Sequence, residues 1–326
     1  MTATRNESSN PLGTLPLPRA LLGPRWWPAW LLLGIARLLC LLPIRWQQAL
    51  GRGLGRAVWR LARRRRRIVS INLRLCFPDA DSETIARLTR GHFEALGLGV
   101  FEALQCWFVS DARLRPLVEF EGAEHLAAAQ ADGRGVLLLT GHFTTLELAA
   151  RLLRITAGPF HAMYRPADNP FVDWWMRRMR ERRSGRVALP KDDLRALVRV
   201  LRGGGAIWYG PDQTLEVPAT AFVPFFGVPT LTLTATSRLA ELGRARVVPF
   251  FPERIDTPHG SRYRIRMLPA LEGFPSGDDI ADARRINALL EDAIRRCPEQ
   301  YFWSHRRFKH RPPGAPDPYA PGVVEP

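Results

Sequence analysis

Four cysteines, Cys40, Cys76, Cys106 and Cys297, are all that the 326 residues contain, and no two stand at metal-ligand spacing. That excludes zinc ribbons and Cys-x-x-Cys redox chemistry and leaves buried thiols of a reducing compartment. His142, His161 and His305 offer no His-x3-His or similar spacing to one another, which argues against a metal-dependent hydrolase. Gly-x-Ser-x-Gly is absent, and with it the serine nucleophile of a strand-to-helix elbow. No helix-turn-helix, zinc finger or aromatic RNA-binding box accompanies the net charge of +16, which argues against a nucleic-acid-binding protein. Internal repeats and low-complexity linkers are missing too, so nothing divides the chain into separate halves. Lysine is nearly missing: Lys191 and Lys309 are the only two among 47 cationic side chains.

What is present begins with that charge, which calls for phosphates, anionic lipids or acidic proteins as partners. Residues 1–25 are polar and rich in Pro and Gly, and read as a poorly ordered amino terminus. Within a candidate anchor over 26–46, residues 26–44 form an apolar run interrupted by Arg37 and flanked by Trp26, Trp27, Trp30 and Trp46. Its length is near the ~20 residues that span a bilayer, and tryptophans favour membrane interfaces. The block Arg63-Arg64-Arg65-Arg66-Arg67 follows, suited to anionic headgroups. The order of these features predicts a helical membrane anchor, spanning or interfacial. Were it to span, the arginine excess after it would place the body of the chain in the cytoplasm. A late-starting apolar run without a small-residue cleavage site does not fit a signal peptide.

Beyond a helical stretch over 47–75, stopped by Pro78, and a second helix to about Phe108, apolar runs and helix-period segments alternate. Strands are expected at 118–120, 136–139, 160–164, 186–189, 206–209, 221–226, 247–251 and 263–268. Helices are expected at 123–131, 145–154, 170–182, 192–202, 231–242 and 279–296. This is an α/β pattern: a mixed, largely parallel sheet flanked by helices, spanning 47–315, with a tail over 316–326. In such sheets ligands bind at the carboxyl ends of strands. His142 follows one expected strand and Asp212 another.

His142 and Glu147 lie five residues apart. On one continuous helix their side chains would diverge by about 140°. They meet only if His142 precedes the helix and Glu147 lies in its opening turn, which the strand-loop-helix pattern allows. A carboxylate fixing the tautomer of a neutral imidazole raises its basicity toward a hydroxyl proton, and backbone N–H groups near Gly141 are candidates for an oxyanion. Spacing alone is explained as well by a helix cap and a dipole-favoured glutamate.

The segment Gly-His-Phe-Thr-Thr-Leu-Glu-Leu (141–148) resembles the His-x4-acid box of the glycerolipid acyltransferase superfamily. Further segments are similar to the bacterial lipid A late acyltransferases: residues 71–78, Tyr164-Arg165-Pro166 with Asn169-Pro170, 208–213, 222–227 and 298–309. They occur in order from about residue 20 to 315, and the last resembles the lauroyl-transferring type. The resemblance implies an acyltransferase that needs no metal and no cofactor. Its donor would be a fatty acyl chain on acyl carrier protein. Its acceptor would be a 3-hydroxyacyl hydroxyl of the phosphorylated Kdo2-lipid IVA precursor. His142 would be the base, and Glu147 would orient and charge-balance it. Arg165 and Asp212 match the second and third boxes as substrate-binding residues. The place of work implied is the bacterial inner membrane, with the site facing the cytoplasm. A myristoyl- or palmitoleoyl-transferring paralogue, or an enzyme acylating another lipid, shares the same boxes. Arg306, Arg307 and Lys309 are candidates for phosphate or carboxylate contacts, or a solvated basic segment. On 170–183, Trp174 and Trp175 read as core packing beside five arginines.

Overall fold

Glycine decides how the amino-terminal helices pack. The structure, a computed structural model, describes residues 15–214 and 217–324. The expected disorder of 1–25 therefore lies, for residues 1–14, outside the described residues. Two 3-10 turns, Arg19–Leu22 and Pro24–Trp26, lead into α1 (Trp27–Leu39), followed by α2 (Ile44–Leu61), α3 (Arg63–Cys76) and α4 (Ser82–Phe108). A Cβ at Gly97 would lie 2.1 Å from the Gly51 carbonyl oxygen, and one at Gly55 2.2 Å from that of Phe93. Only glycine permits α2 and α4 to approach so closely. The buried side of α2 is thereby Gln47, Gln48, Gly51 and Gly55. The opposite stripe, Trp46, Leu50, Leu54, Val58 and Leu61, stays exposed.

The spanning form of the expected anchor is not supported. The apolar segment forms a helix of 13 residues and stops at the turn before Pro43. No described helix is long and apolar enough to cross a membrane, since 13 residues rise only about 20 Å against a hydrocarbon core of ~30 Å. The single helix expected over 47–75 is two, broken at Ala62, whose ψ of 59° leaves the helical region.

After α5 (Asp111–Leu114) the chain alternates as expected: β1 (Val118–Glu121), α6 (Ala123–Gln130), β2 (Val136–Leu139), α7 (Leu146–Ala157), β3 (His161–Tyr164), α8 (Pro170–Ser184), β4 (Leu189–Pro190), α9 (Leu194–Arg202) and β5 (Ala206–Tyr209). Then come the hairpin β6 (Thr220–Phe225) and β7 (Val228–Leu233), α10 (Ala235–Gly243), β8 (Arg246–Thr257), β9 (Gly260–Met267) and α11 (Asp279–Arg296). The helix expected from 231 begins only at 235. Thr230, Leu231, Thr232 and Leu233 alternate and complete the ladder with β6 instead, turned by Phe226-Gly227.

Seven strands form one sheet in the order β1-β9-β8-β2-β5-β3-β4, parallel throughout except for the β8–β9 pair. The expected mixed, mostly parallel sheet with helices on its faces is what the chain forms. Strand alternation divides the core in two. Val136, Leu138, Ala206 and Trp208 pack with Leu148 and Leu152 of α7 on one face. Leu137, Leu139, Ile207 and Tyr209 pack with Leu197 of α9, Leu239 of α10 and Leu290 of α11 on the other. Connections leave β2 and β5 to opposite faces, which opens a crevice at their carboxyl ends.

Candidate active site

The crevice is floored by two loops. Residues 140–145 follow β2, and 210–214 follow β5. The first loop is pinned from outside: the Thr144 N–H donates to the Gln300 carbonyl at 2.8 Å, and the Phe302 N–H donates to the His142 carbonyl at 2.9 Å. The second loop lies close against the imidazole. A Cβ at Gly210 would stand 3.2 Å from His142 Cε1.

These loops bring His142 and Asp212 together. The His142 backbone N–H donates to Asp212 Oδ2 at 2.8 Å, and the imidazole Nδ1 to Oδ1 at 2.6 Å. The tautomer follows: Nδ1 carries the proton and Nε2 is left to accept one. Asp212 is 1% exposed at its side chain and His142 31%, so the ring edge reaches solvent while its carboxylate does not. Burial alone would raise the Asp212 carboxyl, but the imidazole and its hydrogen bonds outweigh burial and hold it down at about 2; the Tyr301 hydroxyl adds another bond. Burial would likewise depress His142, and the facing carboxylate overrides this, so the imidazole is more basic than an ordinary histidine.

Glu147 occupies the first turn of α7, as expected, but its partner differs from the expected one. Its Oε1 accepts from Arg180 Nη2 at 2.5 Å and from Nε at 3.2 Å. Among the described residues no hydrogen bond joins it to His142. The carboxylate that orients the imidazole is that of Asp212, seventy residues away in sequence. Burial disfavours the Arg180 cation, and Glu147 more than restores it. Three of the backbone N–H groups near Gly141 expected as oxyanion donors are engaged elsewhere. The N–H of His142 bonds Asp212, that of Phe143 the Gly141 carbonyl, and that of Thr144 Gln300. The nearby charge that bears on His142 besides Asp212 is Arg180.

Arg165 stands at the rim, 73% exposed, with only the long 3.9 Å approach of Asp168. Arg307, a candidate for phosphate contact, is buried instead. It donates to the Leu231 carbonyl at 2.7 Å and to Thr214 and Thr232 Oγ1 at 2.9 and 3.1 Å, tying the carboxy-terminal segment to the β6–β7 hairpin. Arg306 pairs with Asp317 at 3.2 Å. The Asn72 side chain donates to the carbonyls of Trp303 and His305 at 2.7 and 2.8 Å and accepts from Tyr319, so the tail beyond 315 is locked onto α3. Trp174 packs against Trp30 and Phe171, docking α8 on the amino-terminal helix.

Two site residues carry no mark in the sequence. Arg180 is one of five arginines on α8, and only the packing of α8 on α7 selects it. Tyr301 belongs to the carboxy-terminal box, but nothing in that box says that its hydroxyl reaches Asp212.

His142 opens on a cavity of about 650 Å³, lined mostly by apolar side chains from both faces of the sheet. Such a volume suits a lipid-sized ligand. A buried Asp-oriented imidazole, a cation within its field and an apolar chamber together suit proton abstraction from a hydroxyl beside a fatty chain.

Comparison with known proteins is consistent with this chemistry. A family model described as bacterial lipid A biosynthesis acyltransferase matches residues 17–310. The chain is 39% identical over 301 residues to the lipid A biosynthesis lauroyltransferase of Escherichia coli (strain K12), covering 92% of this chain and 97% of that protein. It is 35% identical over 300 residues to the palmitoleoyltransferase of the same organism, covering 91% and 95%. With that organism's myristoyltransferase it shares 30% over 298 residues, covering 91% of each.

Proposed function

Because the chain belongs to the bacterial lipid A biosynthesis acyltransferase family, we propose that it moves a lauroyl chain from acyl carrier protein to a 3-hydroxyacyl hydroxyl of the Kdo2-lipid IVA precursor. The observation that carries this reading is the imidazole of His142, oriented by buried Asp212, at the mouth of the apolar cavity. Lauroyl is favoured over palmitoleoyl and myristoyl because the lauroyltransferase shares more of its sequence with this chain than either paralogue does.

His142 Nε2 takes the proton of the acceptor hydroxyl while Asp212 stabilises the imidazolium that forms. The alkoxide attacks the thioester carbonyl directly. Negative charge collects on the carbonyl oxygen, and Arg180, held in place by Glu147, is the cation beside it. Collapse of the tetrahedral intermediate expels the thiolate, which receives the proton from His142. A new ester and a free thiol result, with no acyl-enzyme. Glu147 thus acts through Arg180, and Arg165 at the rim meets a phosphate of the substrate.

The membrane enters as a surface. Trp27, Leu31, Leu32, Ile35 and Leu38 of α1 are exposed, as is the apolar stripe of α2. Arg63 to Arg67 flank it at the start of α3. Such a face lies in one leaflet, with arginines on anionic headgroups. The place of work is the cytoplasmic side of the inner membrane.

Transfer from lauroyl-loaded carrier protein to the tetraacyl precursor, read by product mass, tests the assignment. His142→Ala is expected to lose about 10²- to 10⁴-fold, the range that general base catalysis supplies, with an unchanged melting temperature. Near-normal turnover in that variant would sink the proposal.

A further inference from the structure

The cavity is one space lined by residues from both faces of the sheet, and the part against each face is a lobe. Leu146, Ala150, Phe160, Ala162, Met179 and Trp208 line the part under α7 and α8. Phe160 and Trp208 belong to the core of that face, and Leu146, Ala150 and Ala162 pack against it. Met163, Leu197, Tyr209, Leu233, Leu239 and Leu242 line the part under α9 and α10. Leu197, Tyr209 and Leu239 belong to the core of the opposite face, and Met163 and Leu233 pack against that one. Neighbouring residues of one strand thus line different lobes: Ala162 and Met163 on β3, Trp208 and Tyr209 on β5.

The passage between the lobes has a cause in the strand pairing. β3 pairs with β5 only through His161 and Ala162. Its last two residues, Met163 and Tyr164, pair with β4 instead. The carboxyl ends of β3 and β5 are therefore not bridged to one another, and Gly141, His142 and Gly210 line the cavity where the two faces meet.

The geometry points to two acyl sites meeting at His142: the lobe under α7 and α8 holds the donor's fatty chain, and the lobe under α9 and α10 holds the tail of the acceptor's 3-hydroxyacyl chain. This rests on the acyl-transfer reading above and deepens it. Both reactants of that reaction carry long chains, and the hydroxyl lies part-way along one of them. That chain needs apolar space beyond the hydroxyl as well as a path for its head. The assignment of lobes follows from charge. Glu147 and Arg180 line the first lobe, whose walls Phe160, Met179 and Trp208 are buried. A thioester carbonyl at its mouth lies beside the cation. The second lobe opens past exposed Leu194 to a rim with Arg165, Lys191 and Arg238. Arg238 has no partner among the described residues, and an anionic head fits there.

Substitutions that narrow one lobe at a time test the assignment. Ala150→Leu, assayed with carrier protein loaded with ten-, twelve- and fourteen-carbon chains in competition, is expected to shift preference toward the shorter chain. The shift is about tenfold in kcat/KM ratio per methylene excluded, with the acceptor KM unchanged. Ala235→Leu, in the second lobe, is expected to leave the donor profile unchanged. It should raise the KM for the tetraacyl precursor about tenfold and favour a precursor analogue with shorter 3-hydroxyacyl chains. Leu146→Ala and Leu239→Ala enlarge the two lobes and should produce the opposite shifts, which keeps the test decisive if a narrowing variant fails to fold. If substitutions in both lobes moved only the donor profile, one chain would occupy both and the proposal would be overturned. A reversed pattern would overturn it equally. Absence of any transfer by the unaltered protein would remove the acyl-transfer reading itself, and the lobe assignment with it.

Discussion

Two carboxylates serve the site, and they differ in almost every physical respect. Asp212 is buried at a strand end, accepts from His142 on both oxygens with the Tyr301 hydroxyl as a further donor, and is held down at about 2. Glu147 stands on a helix turn, 19% exposed at its side chain, and pairs with an arginine that is itself 24% exposed. The first fixes an imidazole's tautomer and basicity. The second fixes where a cation stands. Proximity along the chain thus misleads: the acid five residues from His142 serves Arg180, whereas the acid seventy residues away serves His142.

The largest effect that distinguishes them is expected from Asp212→Asn. An amide at that position no longer stabilises the imidazolium and can present its N–H₂ to Nδ1, which favours the wrong tautomer. A loss of about 10³-fold in kcat with a small change in KM is expected, within the range a general base contributes. Steady-state rates with the tetraacyl acceptor measure it. A change confined to KM would mean that Asp212 binds substrate, as its sequence position first suggested, and would dissolve the contrast.

Next in size is the pair on the other side. Arg180→Ala removes the cation proposed to face the thioester carbonyl, and the expected loss is about 10²-fold in kcat. Glu147→Gln should cost less, because a glutamine still accepts a hydrogen bond from the guanidinium. The double variant settles the relation. If Glu147 acts through Arg180, adding Glu147→Gln to Arg180→Ala costs almost nothing more. Additive losses would show that Glu147 reaches the chemistry independently, as the five-residue spacing suggests on its face.

How much of this is legible in the sequence follows from the range of each interaction. The sheet is read from local alternation, so β2, β5 and the helices between them fall where the pattern puts them. The hairpin strand β7 does not, because Leu231 to Leu233 carry a pattern that serves a helix or a strand until a partner is known. The break at Ala62 has no proline or glycine to announce it. His142 and Asp212 are both marked by their place after strands, but their pairing requires β2 and β5 to be neighbours, which is a property of topology. Arg180 is hidden among like residues, and Arg307 looks like a surface cation although it is 2% exposed. The amino-terminal run reads as a possible span on composition. Its division by the turn before Pro43, and the glycine crossing of α2 on α4, are what break it into two shorter helices instead.

The smallest and most discriminating effect is in pH. As the proposed base, His142 would work only when its ring is neutral, so kcat/KM should fall as pH drops through the imidazole's pKa. Because Asp212 outweighs burial, that limb should lie above the ordinary value of 6.5. In Asp212→Asn the carboxylate is gone while burial stays, so the residual activity should lose its acid limb to lower pH, by about one unit or more. Glu147→Gln should leave the limb where it was, since Glu147 does not feature among the groups that set the basicity of His142. The measurement is the pH profile of kcat/KM for the three proteins at fixed ionic strength. Equal displacement of the limb in both variants would mean that the two carboxylates share one task after all. Displacement in Asp212→Asn alone would separate orientation of the base from placement of the cation, without relying on the size of any rate loss.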